Sequence, residues 1–128
     1  MTVGGTFATA GLLALAGQVN GSDSTTFRYF AFDGSDAEES ASHTGPQSEI
    51  TVGLSRIEAI CSTEAPDRTV LTATITPTAE VTIKAICIMS AATGGTMLIR
   101  KKLTSPITMA PATNRILTWK IGNAQEAA

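Results

Sequence analysis

Three stretches in the second half of the chain alternate apolar and polar side chains with a period of two, and this restricts the fold more than any other feature. Val70 to Thr76 sets Leu71, Ala73 and Ile75 against Thr72, Thr74 and Thr76. Val81 to Met89 places Val81, Ile83, Ala85, Cys87 and Met89 on one face, with Thr82 and Lys84 on the other. Asn114 to Ile121 turns Leu117, Trp119 and Ile121 the same way. Successive side chains of a strand point to opposite faces, so each run describes a half-buried strand. Ile50 to Ser62 extends the pattern, with Ile57, Ala59 and Cys61 on one face and Arg56 and Glu58 on the other. Turn signals separate the runs at Ala65-Pro66-Asp67, at Pro77 to Glu80 and at Thr93-Gly94-Gly95, where glycines supply the positive φ of a hairpin turn. Met97 to Leu103 is then the returning strand. This spacing predicts a mainly-β fold, a β-sandwich of Ig-like or jelly-roll-like kind.

The first half adds three elements. Thr6 is placed to cap a helix over residues 6–19, whose stripe is Ala8, Leu12, Leu15 and Val19, and Asn20-Gly21 stops it. Gly11 and Gly17 weaken such a helix by about 1 kcal/mol each relative to alanine, so packing must hold it. Thr25 to Phe32 reads as a strand with Phe27, Tyr29 and Ala31 on one side and Arg28, Phe30 and Phe32 on the other. It carries four of the chain's six aromatic residues on both faces, which places it at the centre of the core. Residues 33–48 are a long polar loop, expected to be an arm ordered by a partner. Everything fits one domain over residues 1–128.

Composition narrows the functional classes. Charged residues make up only 16% of the chain and the formal net charge is −2. Such a chain has no field to attract nucleic acid or an anionic membrane, so neither is expected as a partner. The apolar run Ala8 to Val19 lacks a preceding Lys or Arg and is too short to span a bilayer. It is expected to be a structural helix of an untargeted protein. Cys61 and Cys87 form no CxxC pair, and they read as two buried free thiols or as a disulfide between adjacent strands.

Few residues offer chemistry. His43, the sole histidine, lies in the polar loop with Ser42 and Asp36, and nothing nearby would orient an imidazole or build an oxyanion hole. No catalytic activity, cofactor or metal is expected. Asp33, Asp36, Glu38 and Glu39 form an acidic group without EF-hand spacing, which reads as a solvated loop or as an ion site at a subunit contact. Arg100, Lys101 and Lys102 read as charge protecting an edge strand, or as a contact facing the 33–39 loop of another copy. These seven residues are the interface candidates. Gly94-Gly95 lacks the Gly-Lys-Ser/Thr run of a phosphate loop. Tyr29 and Trp119 are candidate stacking platforms for a carbohydrate- or receptor-binding module, although the strand phasing turns Trp119 inward.

The segment IKAICIMSAATGGTMLIRKKLTSPITM (Ile83 to Met109), closed by RILTWKIG (Arg115 to Gly122), resembles a group of small tailed-phage proteins. These share a strand, an Ala-Ser-Gly-Gly-Thr turn, a Met-Leu-Ala-Arg, a Ser-Pro and a final strand with Thr-Trp. The Ala-Gly-Leu-rich helix, aromatic strand and polar loop of the front half fit as well. Lys84-Ala85-Ile86 stands where such proteins often have Thr-Glu-Ala-Gly, so a partner on that face is not carried over. The resemblance implies a virion structural protein: a tail or fibre component, or a capsid decoration protein. A compact chain without heptads or shaft-like repeats favours decoration. The implied partners are the major capsid protein or other virion proteins and further copies of the chain, in a virion assembled in the host cytoplasm. The residues before the helix, the 33–48 loop and the tail Ala124 to Ala128 are the expected contact arms.

Overall fold

The computed structural model describes residues 5–64 and 68–122. The chain forms β1 (Thr6–Phe7), α1 (Thr9–Asn20), β2 (Tyr29–Asp33), β3 (Ile57–Glu58), β4 (Ile60–Glu64), β5 (Arg68–Ile75), β6 (Val81–Met89), β7 (Met97–Met109) and β8 (Arg115–Gly122). Two antiparallel sheets face each other, one in the order β1-β7-β6-β2-β3 and the other β4-β5-β8. The fold is therefore mainly β, a sandwich with one N-terminal helix. The expected turn at Ala65-Pro66-Asp67 and the tail Ala124 to Ala128 lie outside the described residues.

The alternating runs of β5 and β8 behave as their period requires, but β6 does not keep one phase: a register shift between Ile83 and Ala85 leaves Val81 and Ile83 facing the inter-sheet core with Ile86 and Ile88, and puts Cys87 and Met89 on the opposite face. Leu71, Ala73 and Ile75 of β5 and Trp119 and Ile121 of β8 are buried from one sheet. Phe30, Phe32, Ile83, Ile86, Ile88, Leu98 and Ile99 meet them from the other. β2 and β6 lie inside the five-stranded sheet; β2 from Phe30 and β6 from Ala85 onward are covered on both faces, as the aromatics of β2 on alternate sides demanded. Between them runs an unbroken ladder from Tyr29↔Met89 to Asp33↔Ala85.

Other elements also depart from the sequence reading. The aromatic strand, expected over Thr25 to Phe32, is β2 only from Tyr29 to Asp33. The run from Ile50 to Ser62 is not one strand. It breaks at Ala59, which donates its amide to Arg28 O at 2.7 Å while the chain passes from β3 in one sheet to β4 in the other. The phase survives the crossing, because Cys61 pairs with inward Leu71. Cys61 is nonetheless exposed, because β4 is an edge strand.

β7 runs past Leu103 to Met109. Its pairing with β6 jumps from Ala85↔Lys102 to Ile83↔Ile107, so residues 103–106 bow out as a bulge. Pro106, which has no amide to donate, sits in that bulge without breaking the ladder.

The helix begins at Thr9, not Thr6, and its N-cap, Ala8, makes no side-chain hydrogen bond. Thr6 instead pairs with Arg100 in β1. Gly21 closes the helix with φ 81°, in a Schellman arrangement with Ser22 N donating to Gly17 O.

The buried face of α1 is also different. It consists of Ala8, Gly11, Ala14 and Gly17, while Leu12 and Val19 of the expected stripe are exposed. The reason is distance. A Cβ on Gly11 would lie 2.7 Å from Leu98 Cα and 2.7 Å from Met97 O. The helix rests directly on the backbone of β7, a separation that only its small residues allow, so Leu12, Leu13 and Val19 turn outward, while Leu15 of the expected stripe packs against the core.

Candidate functional site

The acidic group and the basic run, 67 positions apart, meet within one chain. Strand order brings them together. Ala85 of β6 pairs with Asp33 on one side and Lys102 on the other, and Cys87 pairs with Ala31 and Arg100. Asp33 and Arg100 thus project from the same outer face of the five-stranded sheet, two strands apart.

Both are buried, and they form an ion pair with Arg100 Nε donating to Asp33 Oδ2 at 3.0 Å. Asp33 Oδ1 also accepts the amides of Ser35 (2.8 Å) and Ser48 (2.9 Å), and Oδ2 accepts that of Gln47 (2.8 Å). The remaining guanidinium nitrogens donate to Ala37 O at 2.8 Å and Ser35 O at 3.0 Å. One carboxylate and one guanidinium therefore hold both ends of the 33–48 loop. A buried pair is tolerable only when its remaining lone pairs and protons are also satisfied, and here the loop backbone does this.

Glu39 makes the second fastening. Its Oε1 accepts from Thr6 Oγ1 at 2.7 Å and its Oε2 from the Lys102 amide at 2.9 Å. That amide lies on the edge of β7 just past the end of β1, so Glu39 terminates the ladder. Lys102 Nζ donates to Glu38 at 2.8 Å, and Thr9 N donates to Ala41 O at 2.9 Å. Asp36 is exposed and adds to the negative field around Lys102.

The loop is therefore not an arm without internal partners. It folds back over the outer face that carries Ala31, Asp33, Cys87 and Arg100, and the contact expected between two copies is made inside one. Lys101 stands apart from the other six candidates. It points to the opposite face and lines a groove of about 290 Å³ between the sheets, with Phe30, Ile86, Leu103 and Trp119.

The sequence reading missed a second clamp. Arg56, read as an outward strand residue, is almost wholly buried and grips Glu49 through two nitrogens, at 2.7 and 3.0 Å. Its Nη1 also donates to Ala91 O and Gly94 O, which fastens the 90–96 turn. An arginine just ahead of a two-residue strand, among alternating apolar and polar residues, carries no signal of such a contact.

The remaining candidates are not assembled. No hydrogen bond joins His43 to Ser42 or Asp36 among the described residues. Ser42 Oγ is hydrogen-bonded to Ser40 Oγ at 2.8 Å, and His43 Nδ1 is enclosed without a partner among the described residues. No group of three or more metal-ligating side chains occurs among the described residues. Trp119 is buried and stacked on Phe30 with centroids 6.4 Å apart, so it offers no platform to a sugar. Tyr29 is half-buried against Met89 and Met97. No helix among the described residues is long and apolar enough to cross a membrane.

No protein-family model matches the chain, and no curated protein matches it.

The electrostatics lead to two expected results. Burial opposes ionisation of Glu39, but the Thr6 hydroxyl, the Lys102 amide and the charges of Lys101 and Arg100 outweigh it, and the carboxyl titrates below its ordinary 4.5. A carboxylate held low when folded contributes stability above its unfolded value and loses it as pH falls through the folded one. Exchange of the Lys102 amide, followed by NMR, is therefore expected to be slow at neutral pH and to accelerate below about pH 4.5, relative to the Phe32 amide inside β2. Parallel behaviour of the two amides would show that Glu39 does not latch the edge.

The cysteines are both free, one in each sheet. Burial, reinforced by the Asp33 carboxylate, pushes the Cys87 thiol up to about 12, whereas Cys61 is exposed. A thiol reagent at mildly alkaline pH is expected to label one cysteine quickly and the second only after denaturation. Two fast thiols would contradict the cover over Cys87.

Proposed function

We propose that this chain is a structural protein of a tailed-phage virion, and within the particle a capsid decoration, or cement, protein that stabilises the assembled shell by protein–protein contacts. The observation that carries the reading is an exposed surface of apolar and hydroxyl-bearing side chains on the helix and on part of the three-stranded sheet. Helix α1 contains no charged residue, and its outward face carries Leu13 at 69% and Val19 at 91% exposure. On the outer face of the three-stranded sheet, Ile60 (78%) and Ile116 (69%) stand among Thr72, Thr74 and Thr118. Apolar and hydroxyl-bearing surface is cheaper to desolvate than charge, and burial stabilises by roughly 25 cal/mol per Å² of apolar area. The resemblance of Ile83 to Met109 and of Arg115 to Gly122 to small tailed-phage proteins supplies the class of particle.

The mechanism is differential binding. A protein that binds sites present only on the closed lattice draws the equilibrium towards the assembled shell, and many copies multiply the effect. The 33–48 loop supports such a role in a different way from a free arm. Already tied to its own sheet, it presents a formed surface, and little conformational entropy is lost on docking.

The test is co-sedimentation of the purified protein with assembled capsids and, separately, with unassembled capsid subunits. Binding to shells alone, with greater resistance of those shells to heat, is the expected result. Equal affinity for loose subunits, or binding to isolated tails or glycans instead, would overturn the decoration role.

A further inference from the structure

Strand edges expose unpaired amides and carbonyls that join other chains unless they are blunted. Most edges here are blunted. The outer strands of the larger sheet, β1 and β3, have two residues each. Where β1 stops, Glu39 takes the Lys102 amide, and farther along β7 the 103–106 bulge bends the edge. β8 is different. It pairs with β5 through eight consecutive residues without a register shift, and among the described residues no strand lies on its other side. It contains no proline and no acidic residue, and of its two cations Arg115 lies at the first position while Lys120 is neutralised by Glu64 of β4 at 2.9 Å, so neither guards the middle of the edge. Beside it runs the inter-sheet groove, whose apolar lining includes Ile86, Leu103, Ile107 and Leu117.

We propose that β8 is a homodimerisation edge: two copies pair antiparallel about a two-fold axis at Thr118, joining their three-stranded sheets into one of six strands. The register of charges selects a second copy as the occupant. With the axis at Thr118, Arg115 lies opposite Ile121, Ile116 opposite Lys120 and Leu117 opposite Trp119. Every cation then faces an isoleucine and inward residues meet inward residues, while Lys120 stays on Glu64 of β4. An axis between Leu117 and Thr118 would oppose an inward to an outward side chain and set Arg115 against Lys120. An axis at Trp119 would press two indoles together. An isologous contact of this kind closes at two copies and leaves no free β8 edge. The proposal does not depend on the virion reading.

The experiment is light scattering of the full-length protein over a concentration series, with Thr118→Lys and Thr118→Glu as variants. Thr118 is exposed on the outer face, and an unchanged Trp119 emission spectrum checks that each variant folds. The wild type is expected to dimerise. Each variant sets like charges on the axis and is expected to weaken association at least about tenfold, and an equimolar mixture is expected to restore the dimer. A wild type monomeric throughout, a dimer that both variants retain, or a mixture that stays monomeric would overturn the proposal. Capsid co-sedimentation is read separately, so a dimer that ignores capsids leaves this inference standing and removes only the decoration role.

Discussion

Replacing Asp33 with alanine is expected to destabilise the protein by about 3–5 kcal/mol, the range for removing one partner of a buried ion pair. The substitution leaves the Arg100 guanidinium buried without its counter-charge. It also orphans the amides of Ser35, Gln47 and Ser48, which only this carboxylate accepts among the described residues. With a urea dependence near 2 kcal/mol per molar, the unfolding midpoint falls by roughly 2 M. Asp33→Asn keeps an acceptor oxygen and is expected to recover part of the loss. Combining Asp33→Ala with Arg100→Met is expected to cost less than the sum of the two, because the second change removes the stranded charge created by the first. A loss below about 1 kcal/mol for Asp33→Ala would mean that the pair does not hold the loop, and the account of the cover would fail.

Replacing Trp119 with alanine is expected to cost about 3–5 kcal/mol, as for other large buried aromatics. Its ring lies in the core on Phe30 and beside Leu71, its partner in β5. Alanine would open a cavity between the sheets that β8, held by eight residue pairs, cannot collapse to fill. Trp119→Phe is expected to be much milder. Phenylalanine keeps the stacking and removes the indole N–H, which is buried without a partner. The same measurement separates a core role from a recognition role. An exposed stacking platform could be truncated with a change of only about 0.5 kcal/mol, and that outcome would return Trp119 to the surface. As the chain's only tryptophan, it also reports its own environment through its emission.

The two residues behind these predictions differ in how visible they were. Trp119 was placed correctly from its strand alone, because Leu117, Trp119 and Ile121 repeat every second residue and that repeat specifies a face. Asp33 and Arg100 both stand out in the sequence, but their relationship does not. Each looked like surface charge waiting for another molecule, since nothing local distinguishes a solvated acidic loop from one folded back on its own sheet. Arg56 was hidden more completely, because its partners Glu49, Ala91 and Gly94 lie on two separate loops. The helix misled for another reason. Hydrophobicity marked Leu12 and Val19 as the inward stripe, yet contact with β7 was decided by how closely two backbones could approach, and Gly11 settled that.

The sequence by itself determined the fold class, the phase of β5 and β8, the central place of the aromatic strand and the stop at Gly21. Each of these is written in neighbouring residues, through side-chain alternation or a preferred backbone angle. Only the tertiary structure decided that the chain changes sheets at Ala59, that the small face of α1 is the buried one, and that the acidic loop closes on Arg100 and Lys102. These depend on the strand order β7-β6-β2, which sets residues 67 apart side by side. Local pattern says which way a side chain points along its own strand; which strand lies next to it is settled by the packing of the whole chain.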